Sequence, residues 1–246
     1  MGAAVTDEKL VTMKPQVYKD PRPKEHFDRY HARVRRGEPN FVYELVRMCT
    51  CLYAWVFFRT RSLDSWKVPT NGPVILAPNH FSFMDHFFTG AGVRRRVQFM
   101  AKSQLFSKGM QWVYNPGGVF PVRRGVQDEE AFVTAHAILR RGDSIVMYCE
   151  GGRSRTADLS EKPKRGIGRL ALESGATVVP VAIHGSSKVR NWKRGRLPKV
   201  IIQYGDPIVW DRVDEPTRDQ QQLAADEIFG RIRTLYSSLD ERLRAG

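Results

Sequence analysis

The sequence contains few cysteines. Only three occur among its 246 residues, namely Cys49, Cys51 and Cys149. Cys49 and Cys51 lie two positions apart in a segment that we predict to be helical, so their side chains face different directions and cannot bridge. The chain therefore lacks both the cysteine framework of a small secreted domain and the ligand set of a structural zinc site. We expect a reducing, cytoplasmic compartment, no metal ion and cysteines that are buried and unreactive.

No uninterrupted apolar run reaches the roughly 20 residues that span a bilayer. The longest apolar segment covers residues 41–58, and Glu44 and Arg47 interrupt it. We therefore predict a helix that lies on a membrane or dips into it, which would place the protein peripherally or monotopically at the cytoplasmic face. A helix buried in the core is the alternative.

Acidic residues are scarce relative to basic ones. The chain has 26 Asp and Glu but 40 Lys and Arg, and its formal net charge is +14. This excess indicates a negatively charged partner, which could be nucleic acid, an anionic membrane surface or a phosphate-bearing substrate. Helix-turn-helix, zinc-finger and RNA-recognition signatures are absent, so we expect no nucleic-acid partner. The basic segment 188–199 contains Trp192 and predicts docking on an anionic membrane, with a solvated loop as the alternative.

Short β-rich runs alternate with helical patterns after residue 61. The predicted strands are 74–78, 97–101, 118–122, 144–148, 178–183 and 199–204, and the predicted helices are 84–91, 103–115, 128–141, 166–174 and 217–244. This order is typical of an α/β fold with a mixed, mostly parallel sheet flanked by helices. We assign residues 62–246 to this domain, 24–61 to a two-helix membrane-docking unit with an apolar seam, and 1–23 to a polar arm.

The stretch "NHFSFMDH" follows the first predicted strand. It places His80 five positions before Asp85, with His86 behind them. Histidine suits a general base because its pKa lies near working pH, and a carboxylate on its other nitrogen would fix the tautomer. Taken alone, the spacing fits a packed or capping histidine equally well. A metal site is disfavoured because His80 and His86 have poor spacing for shared ligation and no third ligand is evident.

Three further blocks carry glycines and cations near strand ends. "GGVFPVRR" runs from Gly117 into a strand that ends in two arginines, and arginine can bind phosphate with two parallel hydrogen bonds. "YCEGGRSR" follows a strand at the edge where α/β sheets hold ligands, and Arg153 and Ser154 can donate to an anion. "PKRGIGRLA" places Lys164 in a basic cluster at a helix start, and in "VVPVAI" Pro180 indicates an edge, a bulge or a strand end.

The four blocks together resemble the glycerophospholipid acyltransferase family. "NHFSFMD" matches its H-x-x-x-x-D block, "AKSQLF" and "GGVFPVR" the second, "EGGRS" the third and "VVPVAI" the fourth. The resemblance implies that His80 is the general base and Asp85 its partner, and that Pro180 belongs to the acyl-donor side. It also implies that Lys102 and Arg123 bind the phosphate of the acceptor, and that Glu150, Gly151 and Arg153 shape the acceptor site. The candidate substrate-binding residues are Lys102, Gly117, Arg123, Glu150, Gly151, Arg153, Ser154, Lys164 and Pro180.

The resemblance implies acyl transfer from acyl-CoA or acyl-carrier protein, as co-substrate, to the free hydroxyl of a lysophospholipid. Lysophosphatidic acid is the expected acceptor and phosphatidic acid the product, without any cofactor. The third block departs from the family pattern at Cys149 and Gly152, and the second has two adjacent arginines, of which we expect Arg123 to point into the site. Glycerol-3-phosphate or another lysolipid is an alternative acceptor. A basic nucleic-acid-binding or lipid-binding protein without catalysis is the alternative from another class.

Overall fold

The structure, a computed structural model, describes residues 10, 13, 20–107, 109–195 and 197–245. The side chains of residues 192–194 are not described. Most of the predicted polar arm 1–23, and the predicted contact of Trp192 with a membrane, therefore lie outside the described residues.

A seven-stranded sheet forms the centre of the protein, with strand order β1-β7-β6-β2-β5-β3-β4. The strands are β1 Arg61–Leu63, β2 Val74–Pro78, β3 Val97–Lys102, β4 Val119–Val122, β5 Ser144–Val146, β6 Thr177–His184 and β7 Ile201–Tyr204. Every neighbouring pair is parallel except β6 and β7, which are antiparallel. The predicted mixed, mostly parallel α/β sheet is confirmed.

Helices cover both faces of the sheet. They are α1 Asp28–Arg36, α2 Phe41–Phe58, α3 Asp85–Ala91, α4 Gln111–Tyr114, α5 Glu129–Arg140, α6 Gly166–Ser174 and α7 Arg218–Ala245. Strand β2 is buried throughout, and its alternate residues enter two cores: Ile75 packs in one with α5, α6 and α7, and Leu76 in the other with α2 and α3. Burial on both faces explains why this strand is a continuous apolar run.

One predicted element is wrong and one strand was not predicted. The helix expected over 103–115 is broken into a 3-10 turn, Ser103–Leu105, and the short helix α4. Gly109 between them has φ of +102°, which an α-helix does not allow. Strand β1 was missed because three residues are too short to display an alternating pattern.

Pro180 lies inside β6, a central strand, at an irregularity of the sheet. Val181 pairs with Tyr204 of β7, but the next bridge joins Val178 to Ile208, which shifts the antiparallel register by one residue. The missing N–H of the proline therefore falls where the ladder is already interrupted, as the bulge alternative predicts.

The two N-terminal helices do not share the apolar seam that we expected between them. Helix α1 packs mainly against α5 and β4, and its Val34 belongs to the same core cluster as Ile75. Helix α2 packs mainly against α3 on the other face of the sheet. Each helix is thus attached to the α/β domain through its own contacts.

Candidate active site

The candidate site begins at the turn that follows β2. The side chain of Asn79 bonds to the backbone of Ile183 in β6, accepting from its N–H at 2.7 Å and donating to its oxygen at 3.1 Å. These two bonds fix the carboxyl end of β2 against its neighbour. His80 is therefore presented at the edge where parallel strands end, which is the usual ligand edge of an α/β sheet.

His80 and Asp85 form a buried hydrogen-bonded pair. His80 Nδ1 lies 2.9 Å from Asp85 Oδ2, and the same oxygen accepts from the backbone N–H groups of Phe81 and Ser82, each at 2.7 Å. Asp85 is fully buried, so its charge is supported by these donors rather than by water. The five-residue spacing therefore forms a tight turn in which the carboxylate fixes both the ring and the backbone beside it.

Burial keeps the His80 imidazole neutral. It lowers the pKa of His80 below the ordinary value of 6.5, although the hydrogen bond and charge of Asp85 act in the opposite direction. A neutral ring whose Nδ1–H is donated to Asp85 carries its lone pair on Nε2. His80 lines a cavity next to this turn, so the basic nitrogen is available to a bound hydroxyl group.

Tyr148, which the sequence analysis did not single out, stacks on the His80 ring. The ring centroids are 3.9 Å apart and the planes are inclined by 20°. Burial raises the pKa of the Tyr148 phenol well above its ordinary value, so it stays neutral. The only sequence signal for this contact is its position two residues before Glu150 at a strand end. Tyr148 and Asp85 together leave the imidazole little freedom to rotate.

The third block holds the backbone on both sides of His80. Glu150 accepts from the His80 N–H at 2.9 Å with one oxygen and from the Ser160 hydroxyl with the other. The N–H of Ser154 donates to the His80 carbonyl at 2.9 Å. Burial raises the pKa of Glu150, and these donors oppose that effect. Glu150 and Ser154 thus position the base through its backbone.

A cavity of about 570 Å³ opens beside the dyad. Its walls come from α2, α3, β3 and the segment 105–119. The lining is largely apolar and includes Val46, Phe83, Phe87, Phe99, Met100, Leu105, Met110 and Val113. An apolar space of this size suits an alkyl chain, with His80 at its wall.

Four cationic side chains line the same cavity. Lys102, Arg124 and Arg153 interact electrostatically with one another, and Arg47 comes from α2. Arg124 and Arg153 act electrostatically on His80, and burial together with these two arginines lowers the pKa of Lys102. Cations held together beside a partly apolar wall favour the binding of an anion such as a phosphate group.

Arg124, and not Arg123, lies on the cavity wall, so our expectation for the adjacent arginines is corrected. The N–H of Arg123 donates to the Asp128 carboxylate at 2.6 Å, within the turn that leads into α5. Strand β4 ends at Val122, so the alternation of side chains along the strand no longer decides which arginine faces the cavity.

The other predicted site residues separate into two groups. His80, Lys102, Gly117 and Arg153 line the cavity, whereas Glu150, Gly151, Ser154, Lys164 and Pro180 are not among the described lining residues. Gly151 has φ of +66°, and a side chain there would meet Lys164 at 3.1 Å. Lys164 is exposed and Pro180 is buried in β6. The residues of the second group therefore stabilise the turn or the sheet around the cavity and do not form its wall.

His86, the second histidine of the first block, also lines the cavity. Burial lowers its pKa to about 4, and its ring contacts Phe87 and Phe99. Among the residues that the structure describes, no three His, Cys, Asp or Glu side chains are grouped to hold a metal ion.

Comparison with known proteins agrees with this geometry. The family model named Acyltransferase matches residues 59–184, slightly more than half of the chain, and this range contains the dyad, Lys102, Arg124 and the third block. The chain belongs to the acyltransferase family. The match ends at the last residue of β6, so it covers the whole central part of the sheet.

This acyltransferase is similar to curated proteins named 1-acyl-sn-glycerol-3-phosphate acyltransferase. A chloroplastic protein of Brassica napus is 23% identical over 66% of this chain and 46% of its own length. A chloroplastic protein of Arabidopsis thaliana is 27% identical over 61% of this chain and 42% of its own length. A protein of Borreliella burgdorferi is 25% identical over 58% of this chain and 58% of its own length. The chain thus spans about half the length of the curated relatives it matches.

A solved structure shares the fold of this acyltransferase. It is the crystal structure of the 1-acyl-sn-glycerophosphate acyltransferase of Thermotoga maritima, with a TM-score of 0.56 and 18% sequence identity. The similarity covers 87% of this chain and 89% of that one. It therefore extends well beyond the matched family region.

Arg190 was predicted to belong to a basic membrane-docking segment, but its guanidinium group turns inward. It donates to the backbone oxygen of Phe81 at 2.8 Å and to that of Arg155 at 2.8 Å, and it also bonds to the oxygen of Ser154. Arg190 therefore connects the turn that holds His80 and Asp85 to the third block, although it lies more than 100 residues after Phe81 in the chain. A local pattern of basic residues gives no signal for such a contact.

Helix α2 has two chemically different faces. Tyr43, Val46, Arg47, Thr50 and Cys51 line the cavity. The opposite face is exposed to an unusual degree for apolar residues, and it comprises Phe41, Leu45, Met48, Leu52, Trp55 and Val56. Only 17% of the helix is buried, so the alternative of a buried core helix is excluded. Length and composition alone would let this one described helix cross a membrane.

The cysteines are not uniformly buried as we expected. Cys149 is buried, but Cys49 lies exposed on α2 and Cys51 is half-buried at the cavity. Burial raises the pKa of both Cys51 and Cys149, so neither thiol ionises readily.

Proposed function

We propose that this protein transfers a fatty acyl group from an acyl thioester to the free hydroxyl of lysophosphatidic acid, giving phosphatidic acid. One observation carries the proposal. A neutral histidine, held by a buried aspartate at 2.9 Å, lies on the wall of a largely apolar cavity that Lys102, Arg124 and Arg153 also line. The names of the curated relatives support lysophosphatidic acid as the acceptor.

The dyad can carry out the proton transfers of this reaction. His80 Nε2 takes the proton of the acceptor hydroxyl as its oxygen attacks the thioester carbonyl carbon. The resulting imidazolium is stabilised by Asp85. Collapse of the tetrahedral intermediate breaks the carbon–sulfur bond, and the thiolate leaves with the proton from Nε2. The chemistry requires no serine or cysteine nucleophile, no metal ion and no cofactor.

The cations would hold the acceptor by its phosphate. Lys102, Arg124 and Arg153 line the same cavity as His80, so a phosphate bound among them would bring the neighbouring hydroxyl group towards Nε2. The largely apolar lining favours an acceptor that already carries an alkyl chain over glycerol-3-phosphate, which is polar throughout. Acyl-CoA and acyl-carrier protein would supply the same thioester.

The exposed apolar face of α2 supports a peripheral or monotopic position at a membrane, where long-chain lysolipids partition. We propose the cytoplasmic side, because three cysteines without a disulfide framework fit a reducing compartment.

The deciding experiment measures thiol release from palmitoyl-CoA with the purified protein. Lysophosphatidic acid, glycerol-3-phosphate and a neutral lysolipid are compared as acceptors, and palmitoyl-acyl-carrier protein replaces the CoA ester in a parallel series. We expect release with lysophosphatidic acid and formation of phosphatidic acid. His80→Ala should abolish it while thermal unfolding remains cooperative. Release that persists in His80→Ala would contradict the mechanism, and release with glycerol-3-phosphate alone would change the acceptor.

A further inference from the structure

A second groove, of about 470 Å³, lies between α1 and α4. Its lining includes Arg29, Arg33, Arg36, Gln111, Trp112 and Pro116. It shares no described lining residue with the cavity that holds His80, because Val113 and Tyr114 of α4 face that cavity while Gln111 and Trp112 face the groove. The groove is therefore a separate feature on the other side of α4.

Three arginines form one side of this groove. Arg29, Arg33 and Arg36 recur at helical spacing and are all exposed, whereas Tyr30 and Val34 face the interior. The Arg29 guanidinium lies over the Tyr30 ring, with its central carbon 4.7 Å from the ring centroid. Within the described ranges, neither Arg33 nor Arg36 pairs with a carboxylate, although neighbouring Arg35 pairs with Glu130.

An exposed tryptophan completes the groove. Trp112 is 76% exposed, which leaves a large aromatic surface beside the arginines. The groove also continues into the apolar face of α2, because the N–H of Asn40 bonds to the Pro116 oxygen at 3.2 Å and Phe41 next to it is 74% exposed. Cations, an indole ring and apolar side chains thus follow one another along one surface.

We propose that the groove between α1 and α4 binds the headgroup of an anionic phospholipid while the α2 face lies in the bilayer. The arginines match the lipid phosphate in charge, and tryptophan favours the level of the headgroups. The proposal rests on the membrane position given under the proposed function, but it concerns a lipid of the bilayer and not the acceptor. It would fix the orientation in which the protein lies on the membrane.

The test is partitioning to phosphatidylcholine vesicles with and without phosphatidylglycerol, measured by flotation. We compare the unsubstituted chain with Arg33→Gln/Arg36→Gln and with a matched control, Arg212→Gln/Arg218→Gln, which removes the same charge at exposed positions far along the chain. The first pair should lose about 30-fold in partitioning to the anionic vesicles, since each basic side chain at such a surface contributes roughly five-fold. The control pair should lose much less.

Trp112→Ala separates the two parts of the groove. It should weaken partitioning to both kinds of vesicle, whereas the arginine pair should affect the anionic vesicles alone. Equal losses in the arginine pair and its control, or unchanged binding in both, would overturn the proposal. So would a loss confined to binding of a single-stranded oligonucleotide, which would indicate a nucleic-acid surface.

A separate assay distinguishes failure of the groove from failure of the proposed function. Turnover of a short-chain, water-soluble lysophosphatidic acid needs no bilayer, so Arg33→Gln/Arg36→Gln should retain it. Loss of that turnover in a variant whose thermal unfolding remains cooperative would show that these arginines act on the active site, and would overturn the proposal.

Discussion

The Tyr148 ring covers one face of the His80 imidazole, with the two centroids 3.9 Å apart. Asp85 holds the edge of the same imidazole through Nδ1. One contact fixes the plane of the ring and the other fixes its rotation within that plane. Both must be in place for Nε2 to point steadily at the acceptor hydroxyl.

We predict that removal of the aromatic ring lowers the catalytic rate. Tyr148→Leu should reduce kcat about five-fold, because an aromatic pair contributes about 1 kcal/mol beyond its buried area, and should leave the acceptor KM nearly unchanged. Tyr148→Phe keeps the stacked ring and should lose far less. Steady-state kinetics of the two variants would check this. Equal losses in both, or a change in KM alone, would contradict a positioning role for the ring.

The pH profile should report the lowered pKa of His80. Burial is the largest cause of that shift, so kcat/KM should fall on the acid side only below pH 6.5, where the base becomes protonated. Asp85 raises the pKa of His80, so Asp85→Asn should move this limb to still lower pH. In Asp85→Asn the pH-independent value of kcat/KM should drop by about 10³–10⁴-fold, because an amide at this position favours the wrong tautomer of the His80 imidazole. A limb that moves to higher pH in Asp85→Asn would contradict the assignment.

The two adjacent arginines offer a matched pair of variants. Arg124→Gln should raise the acceptor KM about 10–100-fold, since it removes a charge-assisted contact to phosphate from the cavity wall. Arg123→Gln removes the same charge one position earlier, outside the described lining, and should change KM little. The reverse order of effects in acceptor titrations would restore the interpretation drawn from the sequence.

Arg190 should matter for turnover and not for membrane binding. Arg190→Gln removes the bonds to the Phe81 and Ser154 oxygens and should lower kcat about 10–100-fold, because the dyad turn loses its connection to the third block. Lys188→Gln, an equal change of charge at an exposed position of the same segment, serves as the control. Similar kinetics for the two variants would show that Arg190 acts only as surface charge.

Sequence patterns predicted the elements that are long or strongly periodic. Helix α2 and helix α6 have the predicted bounds, and β2 was identified because a strand buried on both faces is continuously apolar. The helix over 103–115 failed because φ at Gly109 follows from the local chain path and not from apolar spacing. Three-residue β1 pairs with β7, which lies about 140 residues later in the chain.

The candidate site was predictable where its contacts are local. His80 and Asp85 meet within one turn, so their spacing in the sequence is enough to predict the contact between them. Tyr148 and Arg190 reach the same turn from distant parts of the chain, and a local motif does not encode such distances. The direction of Arg124 depends on the turn after β4, where strand alternation has ended.

Helix α2 lines the cavity with one side and leaves an apolar row exposed on the other, and this makes its length more critical than its composition. Successive residues of an α-helix are rotated by about 100°, so inserting or deleting a single residue would turn the remainder of the helix by that angle. Cavity residues would then face outward and exposed ones would face the substrate. Substitutions among apolar residues leave both rows in place, so this helix should tolerate exchange at many positions and almost no change in residue number.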